Sequence, residues 1–412
     1  MKPAPLLIAA LFVATPGLLL AQSKESPKTP PAPATAPAVT AGPQLKSRQS
    51  TVFGLLVMQL GEGKLAGQAS QMNATAVQGG TAPGALKFNQ DVGKDMEGAL
   101  NEVKKFISVR HNGWPEGWTI ELSFEDHYQP KDGPSAAVAC ALMVDSLLTG
   151  VPLHDKTAIT GDLNANGSVQ PVGGVPDKMR AAAKRQCSVA CIPVKNGRSM
   201  ADHTLLQGPA PLFAIQIFTA EKFEDAKKVA ATPRDPAVEK AITDFAEIAR
   251  VLTANRDPAN AIRHPKVIER LKTVLKSAPN HLSAKLLLEF AEGKNSKVLS
   301  PAGSLEAINS ESEALLAGIR SGKPEKLEKD KIADSISHLN TLRPRLDKRT
   351  TAYVDAIMDF GKAFRYYKAD APDTRFEAVK ALQELNAKAS RVSAEWERLR
   401  ADKALMETVM DQ

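Results

Sequence analysis

One serine follows a turn and opens a long apolar segment, a position that suits a nucleophile. Asp132, Gly133 and Pro134 form the turn, and residues 136–148, which follow Ser135, contain neither proline nor glycine. This pattern predicts a buried helix with Ser135 at or near its N-terminus. Free backbone N–H groups and the positive end of the helix dipole lie there, and both stabilise a developing oxyanion.

A lysine 43 residues further on has the surroundings that a general base needs. Gly173-Gly174 predicts a turn and Pro176 suits a first helical position, so Lys178 lies in the first turn of an alanine-rich helix. A lysine amine accepts a proton only when uncharged, and burial beside Met179 and the alanines would lower its pKa. Alternatively, Ser135 only caps a helix and Lys178 is a solvated surface residue. Both residues together, with the glycines and the spacing, favour a Ser-Lys site.

These two segments resemble motifs of the proteolytic domain of Lon, a Ser-Lys peptidase. Residues 130–137 are PKDGPSAA where that family has PKDGPSAG, and residues 173–178 are GGVPDK where it has GG-x-x-(E/D)-K. The separation of Ser135 and Lys178 matches the spacing of the family. Thr160-Gly161-Asp162 resembles the TGE segment that lies between the two motifs.

The chain departs from the family pattern at a few positions. Ala137 replaces the usual glycine, Asp162 replaces glutamate, and Pro176-Asp177 replaces Lys-Glu. None of these changes removes a reacting group. Ala137 narrows the room beside the nucleophile, so it bears on the range of substrates rather than on the chemistry.

The resemblance implies a role for each residue of the site. Ser135 is the nucleophile, Lys178 is the general base and then the general acid, and Thr160 hydrogen-bonds Lys178. Backbone N–H groups in the segment 133–135 are candidates for the oxyanion site. Asp132 either orients this loop or caps a helix. The resemblance implies no cofactor, and the sequence has no Cys/His spacing typical of a metal site.

A Ser-His-Asp triad is the competing catalytic interpretation. Asp126-His127 precedes the serine, and His154-Asp155 and Asp202-His203 follow it. Ser135 does not lie in a G-x-S-x-G elbow, which disfavours a triad of the hydrolase type.

Mixed strand and helix patterns predict an α/β domain, more strictly α+β, over residues 48–231. The Lon resemblance implies the same fold, which is similar to the second domain of ribosomal protein S5. The predicted strands cover residues 51–59, 65–77, 85–89, 118–124, 157–163, 168–172, 189–194 and 212–218. Predicted helices cover residues 91–110, 136–148, 200–206 and 220–230, with the Lys178 helix between the second and third.

Residues 232–412 show helical patterning only, which predicts an all-α region. Apolar residues recur at helical spacing before Pro279-Asn280 and again over residues 282–291. The resulting helical hairpin weakly resembles a tetratricopeptide unit, although the region has no clear 34-residue period. This region is expected to bind substrate or mediate assembly.

The N-terminus predicts export. Residues 1–21 combine Lys2, an apolar run and Leu19-Leu20-Ala21, which is typical of a cleaved signal peptide. The alternative is a membrane anchor, but the run is shorter than the roughly 20 residues that span a bilayer. Residues 22–47 are rich in proline and alanine and predict an extended linker. The expected location is the periplasm or the medium, with no stable membrane anchor.

Charge and cysteine content narrow the remaining classes. The net charge of +7 over 412 residues is too small to predict a nucleic-acid partner. Cys140, Cys187 and Cys191 are the only cysteines. They are either three buried apolar side chains or include a disulfide between Cys140 and Cys191.

The sequence thus predicts an exported, ATP-independent serine endopeptidase that cleaves flexible or unfolded polypeptides. The 412 residues contain no G-x-x-x-x-G-K-[ST] segment, so the ATPase module usual in Lon is not found in them. The alternative is an inactive Lon-like scaffold that binds partners through residues 232–412. The resemblance also implies a homo-oligomer with the form of a hexameric ring.

Overall fold

The computed structural model describes residues 42–59, 65–79, 84–126, 131–321, 329–369 and 374–410. The predicted signal peptide and residues 22–41 of the predicted linker lie outside them. No helix within the described residues is long and apolar enough to cross a membrane.

The described residues contain the strands β1 (Gln49–Gln59), β2 (Leu65–Gln78), β3 (Leu86–Phe88), β4 (Trp118–Phe124), β5 (Thr157–Ile159), β6 (Asp162–Leu163), β7 (Val169–Gln170), β8 (Val189–Pro193) and β9 (Gln216–Ala220). Seven of them form one mixed sheet in the order β3-β4-β2-β1-β5-β8-β9, and the two short strands β6 and β7 form a separate ribbon. Strand β1 pairs antiparallel with β2 along the whole of β1, whereas β1, β5, β8 and β9 run parallel.

Six helices accompany these strands and confirm the predicted mixed α/β class. They are α1 (Lys94–Arg110), α2 (Ala137–Thr149), α3 (Val175–Lys184), α4 (Gly197–Gln207), α5 (Pro211–Ala214) and α6 (Phe223–Ala230). Helix α2 is buried from Ala137 to Leu148, as its apolar sequence predicts for a helix covered on all sides. It therefore forms the centre of the core on which the strands and α1 pack.

Two of the predicted strands differ from the structure. The segment 157–163 is divided, because the backbone leaves the main sheet at Thr160-Gly161 before β6 begins. Gly161 has a φ of +157° and its N–H donates to the carbonyl of Ser135, so a bond across the fold replaces the strand ladder. In the segment 212–218, the proline at position 211 begins the short helix α5, and the strand starts only at Gln216.

The C-terminal region is helical, as predicted. Its helices are α7 (Pro236–Thr253), α8 (Pro258–Ile262), α9 (Pro265–Ser277), α10 (Leu282–Ala291), α11 (Pro301–Glu311), α12 (Glu313–Ser321), α13 (Lys329–Leu342), α14 (Thr351–Ala369), α15 (Arg375–Ala401) and α16 (Lys403–Met410). The α9–α10 hairpin turns at Pro279-Asn280, where the sequence predicts it, and its resemblance to a tetratricopeptide unit stays a prediction.

The α9–α10 turn covers the edge strand β9. The backbone N–H of Thr219 donates to the carbonyl of Asn280 (2.9 Å), and the Asn280 amide returns a bond to the carbonyl of Thr219 (2.8 Å). The ring of His281 lies between Phe218 and Phe245. An uncovered edge strand would expose a row of unpaired backbone groups, so this contact closes the sheet. The apolar core of the sheet accordingly continues through α7–α10.

A second apolar core lies beyond α10 and is built from α11–α16. It is joined to α4 by a buried clasp, in which Asp202 accepts hydrogen bonds from the backbone N–H and the hydroxyl of Ser300. Ser300 is also the N-cap of α11, so one carboxylate fixes both the start of that helix and its contact with α4. The predicted boundary at residue 231 stays a prediction.

The three cysteines are all buried and free. Cys140 lies on α2 and Cys191 on β8, and they are packed as small apolar side chains, the first of the two alternatives that the sequence allows. Burial raises the pKa of Cys140 to about 12. A thiol held in that state is a poor nucleophile.

The buried His281 predicts acid sensitivity. Burial lowers the pKa of His281 to about 3 from its ordinary 6.5, so between these values the unfolded chain binds a proton that the folded chain does not. The free energy of unfolding should therefore fall as the pH drops below about 6.5, by up to about 1.4 kcal/mol per pH unit. Urea unfolding of wild type and His281→Gln at several pH values measures this. The difference between the two proteins should shrink in acid, and a constant difference would contradict the assignment.

Candidate active site

The loop that carries Ser135 is tied to helix α1 by Asp132. Its Oδ1 accepts from the backbone N–H groups of Asp95 (3.2 Å), Met96 (3.3 Å) and Gly133 (2.7 Å). Gly93, the N-cap of α1, has no side chain to do this, and a Cβ there would lie 1.9 Å from the Asp132 carboxyl carbon. Asp132 therefore caps α1 rather than the serine helix, and by doing so it also orients the loop.

Ser135 lies in a single 3₁₀ turn, Pro134–Ala136, that runs directly into α2. Gly133 before it has a φ of +91°, a conformation that favours glycine. The Ser135 carbonyl accepts from the N–H of Gly161 (2.9 Å) and from the hydroxyl of Thr160 (3.2 Å). The serine is half-buried, and its backbone is fixed by the segment at which the predicted strand 157–163 breaks.

Lys178 is among the largest fully buried side chains of the fold, with 1% of its surface exposed. Its Nζ donates to the Thr160 hydroxyl at 3.1 Å. Of the carboxylates that the structure describes, none pairs with this amine within 4 Å. Burial lowers the pKa of Lys178 from 10.5 to about 7. A large fraction of the amine is therefore uncharged near neutral pH, as a base requires.

The Thr160 hydroxyl connects the two candidate catalytic residues. It accepts the N–H of Lys178 and donates to the carbonyl of Ser135, with the carbonyl of Leu55 at 3.5 Å as the alternative acceptor. Thr160 is itself buried at the end of β5, and its N–H donates to the carbonyl of Cys191 on β8. The sheet therefore places this hydroxyl, and the hydroxyl in turn orients the amine of Lys178.

Close backbone packing brings α3 to this position. A Cβ at Gly67 of β2 would lie 2.1 Å from the carbonyl oxygen of Asp177 and 2.7 Å from the backbone nitrogen of Lys178. Gly174 precedes α3 with a φ of +66°, and a Cβ there would lie 2.5 Å from a methyl group of Val57 of β1. The sequence alone indicates no catalytic role for Gly67. A glycine inside a strand pattern is nevertheless a recognised signal of close backbone approach.

The residues of the competing triad do not meet Ser135. Among the described residues, His154 accepts from the N–H of Lys156 and lies 3.3 Å from Asp155, while Asp202 belongs to the clasp on α11. His203 makes no hydrogen bond with Ser135 either, and His127 lies outside the described residues. The described geometry therefore gives Ser135 no histidine partner.

Comparison with known proteins agrees with this geometry. Residues 107–207 match the family model of the Lon protease (S16) C-terminal proteolytic domain. This part of the chain is a domain similar to the proteolytic domain of Lon. The match includes Ser135, Thr160 and Lys178, and the surrounding mixed sheet is the fold that the resemblance implies.

Individual relatives show how far the similarity extends. A Lon protease 2 of Sorangium cellulosum is 39% identical over 89 residues, which are 22% of this chain and 11% of that protein. A Lon protease 1 of Herpetosiphon aurantiacus is 36% identical over 115 residues, 24% of this chain and 14% of the relative. A Lon protease 1 of Hydrogenovibrio crunogenus is 30% identical over 145 residues, 34% and 17% respectively. The chain thus covers less than a fifth of the length of these relatives.

Removing the buried amine should stabilise the fold. Since the folded pKa of Lys178 is about 7 and the ordinary value is 10.5, the unfolded chain binds the additional proton between these pH values. At pH 8 this costs the folded state on the order of a few kcal/mol. Lys178→Met should therefore raise the melting temperature near neutral pH, and the gain should disappear as the pH approaches about 10.5.

The matched control is Lys184→Met, because Lys184 is exposed at the end of the same helix. Thermal unfolding of the three proteins from neutral to alkaline pH decides the matter. A Lys178→Met protein that is no more stable than wild type would show that the amine carries no desolvation cost.

Proposed function

We propose that this chain is a serine endopeptidase in which Ser135 is the nucleophile and Lys178 the general base. The observation that carries the proposal is the buried Lys178 amine, which has Thr160 as its hydrogen-bond partner and no described carboxylate to hold its charge. A structural lysine gains nothing from such a site, because burial without a counter-charge destabilises the fold. The similarity of residues 107–207 to a domain described as proteolytic supports the same function.

The proposed reaction needs one proton carrier and one nucleophile. The uncharged Lys178 amine takes the proton of the Ser135 hydroxyl while the serine Oγ forms a bond to the carbonyl carbon of the scissile amide. The resulting ammonium then gives this proton to the leaving amine as the C–N bond breaks. A water molecule then attacks the acyl-enzyme while the same amine takes its proton. The carboxylic-acid product leaves as the Lys178 ammonium returns a proton to the Ser135 oxygen. Thr160, by accepting one N–H, directs the amine throughout.

The oxyanion site must be built from the backbone before α2. Pro134 has no N–H, and the N–H of Gly133 donates to Asp132. The N–H of Ser135 lies at the start of the helical stretch and is the first candidate donor. Gly133 becomes a second donor if its N–H exchanges Asp132 for the substrate oxygen.

The sequence supports a proposal for the setting and the substrates. The apolar N-terminal segment supports export to the periplasm or the medium, where the proposed hydrolysis proceeds without ATP. Without energy-driven unfolding, the substrates would be flexible or unfolded polypeptides. The Lon similarity supports assembly into a homo-oligomer, with a hexameric ring as the first arrangement to examine. The inactive-scaffold alternative is not favoured, since it gives no role to an amine that is buried without a described carboxylate beside it.

Casein digestion without ATP tests the proposal. Wild type should cleave casein, and Ser135→Ala and Lys178→Met should each lose activity, because the mechanism has neither nucleophile nor base without them. The wild-type kcat/KM should rise with pH through a midpoint near the pKa of Lys178, about 7.

Two exposed residues of the same types serve as controls, Ser188→Ala and Lys184→Met. Both should retain wild-type rates. Cleavage that persists in Ser135→Ala, or a rate that is flat across the pH range around 7, would refute the assignment.

A further inference from the structure

Asn196 is a fully buried polar side chain to which the mechanism above gives no task. It ends the 3₁₀ turn Val194–Asn196, which links β8 to α4, and none of its surface is exposed. Its Oδ1 accepts the N–H of Val172 and its Nδ2 donates to the carbonyl of the same residue, both at 2.9 Å. The side chain thus pairs with Val172 as a neighbouring strand would, with one donor and one acceptor.

The residue that Asn196 holds leads directly to the lysine helix. Val172 lies two positions before Gly174, after which α3 begins, and Lys178 is in the first turn of that helix. On the other side of this segment, Gly174 lies against Val57 of β1. The start of α3 is therefore fixed between the sheet and the amide of Asn196.

The strand before Asn196, β8, also positions Thr160. The carbonyl of Cys191 accepts the N–H of Thr160 at 3.1 Å, and Asn196 follows three residues after the strand ends at Pro193. Strand β8 therefore positions the hydroxyl that orients the amine, and the turn after β8 fixes the start of the helix that carries the amine. A change at Asn196 would move the start of α3 without moving Thr160.

We propose that Asn196 is a positioning residue for Lys178. By pairing with Val172 it sets where α3 begins, and so keeps the Lys178 Nζ within hydrogen-bond distance of the Thr160 hydroxyl, which also bonds the carbonyl of Ser135. The inference rests on the proposed function, because it assigns a purpose to Asn196 only if Lys178 is the base. Displacement of a catalytic group by about 1 Å can cost on the order of a hundredfold in rate.

Two variants separate the hydrogen bonds. Asn196→Ala removes both, whereas Asn196→Asp keeps the volume and the acceptor for the Val172 N–H but sets a carboxylate oxygen against the Val172 carbonyl. Both should lower kcat by about tenfold to a hundredfold while leaving KM unchanged. The acidic midpoint of the pH–rate profile should move, because the amine no longer has the same burial and the same partner.

Loss of two buried hydrogen bonds also lowers stability, so a matched control is required. Ser283 is fully buried and, like Asn196, makes two hydrogen bonds to the backbone. Its hydroxyl accepts the N–H of Ile217 (3.0 Å) and donates to the carbonyl of Ile215 (3.3 Å). Ser283→Ala breaks these bonds at β9 and should lower the melting temperature with kcat and the pH midpoint unchanged. An equal loss of kcat in Ser283→Ala would mean that Asn196 acts through stability alone, which would overturn the inference.

A structural measurement makes the test independent of activity. Crystal structures of wild type and of Asn196→Ala, or of Asn196→Asp if the first does not fold, give the distance from Lys178 Nζ to Thr160 Oγ1. We expect 3.1 Å in wild type and a lost hydrogen bond in the variant. An unchanged distance in the variant would overturn the positioning role. If wild type cleaves nothing but the distance still changes, the proposed function fails and the role of Asn196 in placing Lys178 stands.

Discussion

The structure depends on an amine that is kept out of water without an opposite charge beside it. Most buried lysines are paired, because the desolvation of an ammonium is costly, yet the described partner of Lys178 is a neutral threonine hydroxyl. The fold can meet this cost in one way, by allowing the amine to lose its proton. The same burial that weakens the fold therefore supplies a base near neutral pH, where an exposed lysine would be fully charged.

The mixed sheet holds this amine from several directions. Thr160 at the end of β5 orients the Nζ, Gly67 of β2 lets the backbone of α3 approach, and Asn196 after β8 holds the segment before that helix. These contacts come from strands that are separated in the sequence and lie within the stretch β2-β1-β5-β8 of one sheet. A surface loop has no comparable set of rigid neighbours, so the site lies where the sheet can position it within a fraction of an ångström.

Local signals were sufficient for some of these features and not for others. The turn before Ser135, the apolar helix after it and the Gly-Gly-x-Pro start of α3 are encoded within a few residues, and the structure has them where the sequence predicts them. The break at Gly161 has only the glycine itself as a local signal, because the bond to Ser135 that interrupts the strand comes from another part of the chain. The capping of α1 by Asp132, 37 residues away, is invisible to local patterns for the same reason.

The charge state of Lys178 can be measured without any substrate. NMR titration of the full chain labelled with ¹³C at the lysine Cε positions, with the signal of Lys178 identified by its loss in Lys178→Met, reports the pKa of this amine directly. We expect a midpoint of about 7. A midpoint near the ordinary 10.5 would mean that the amine is charged at neutral pH, and the Ser-Lys site would have no base.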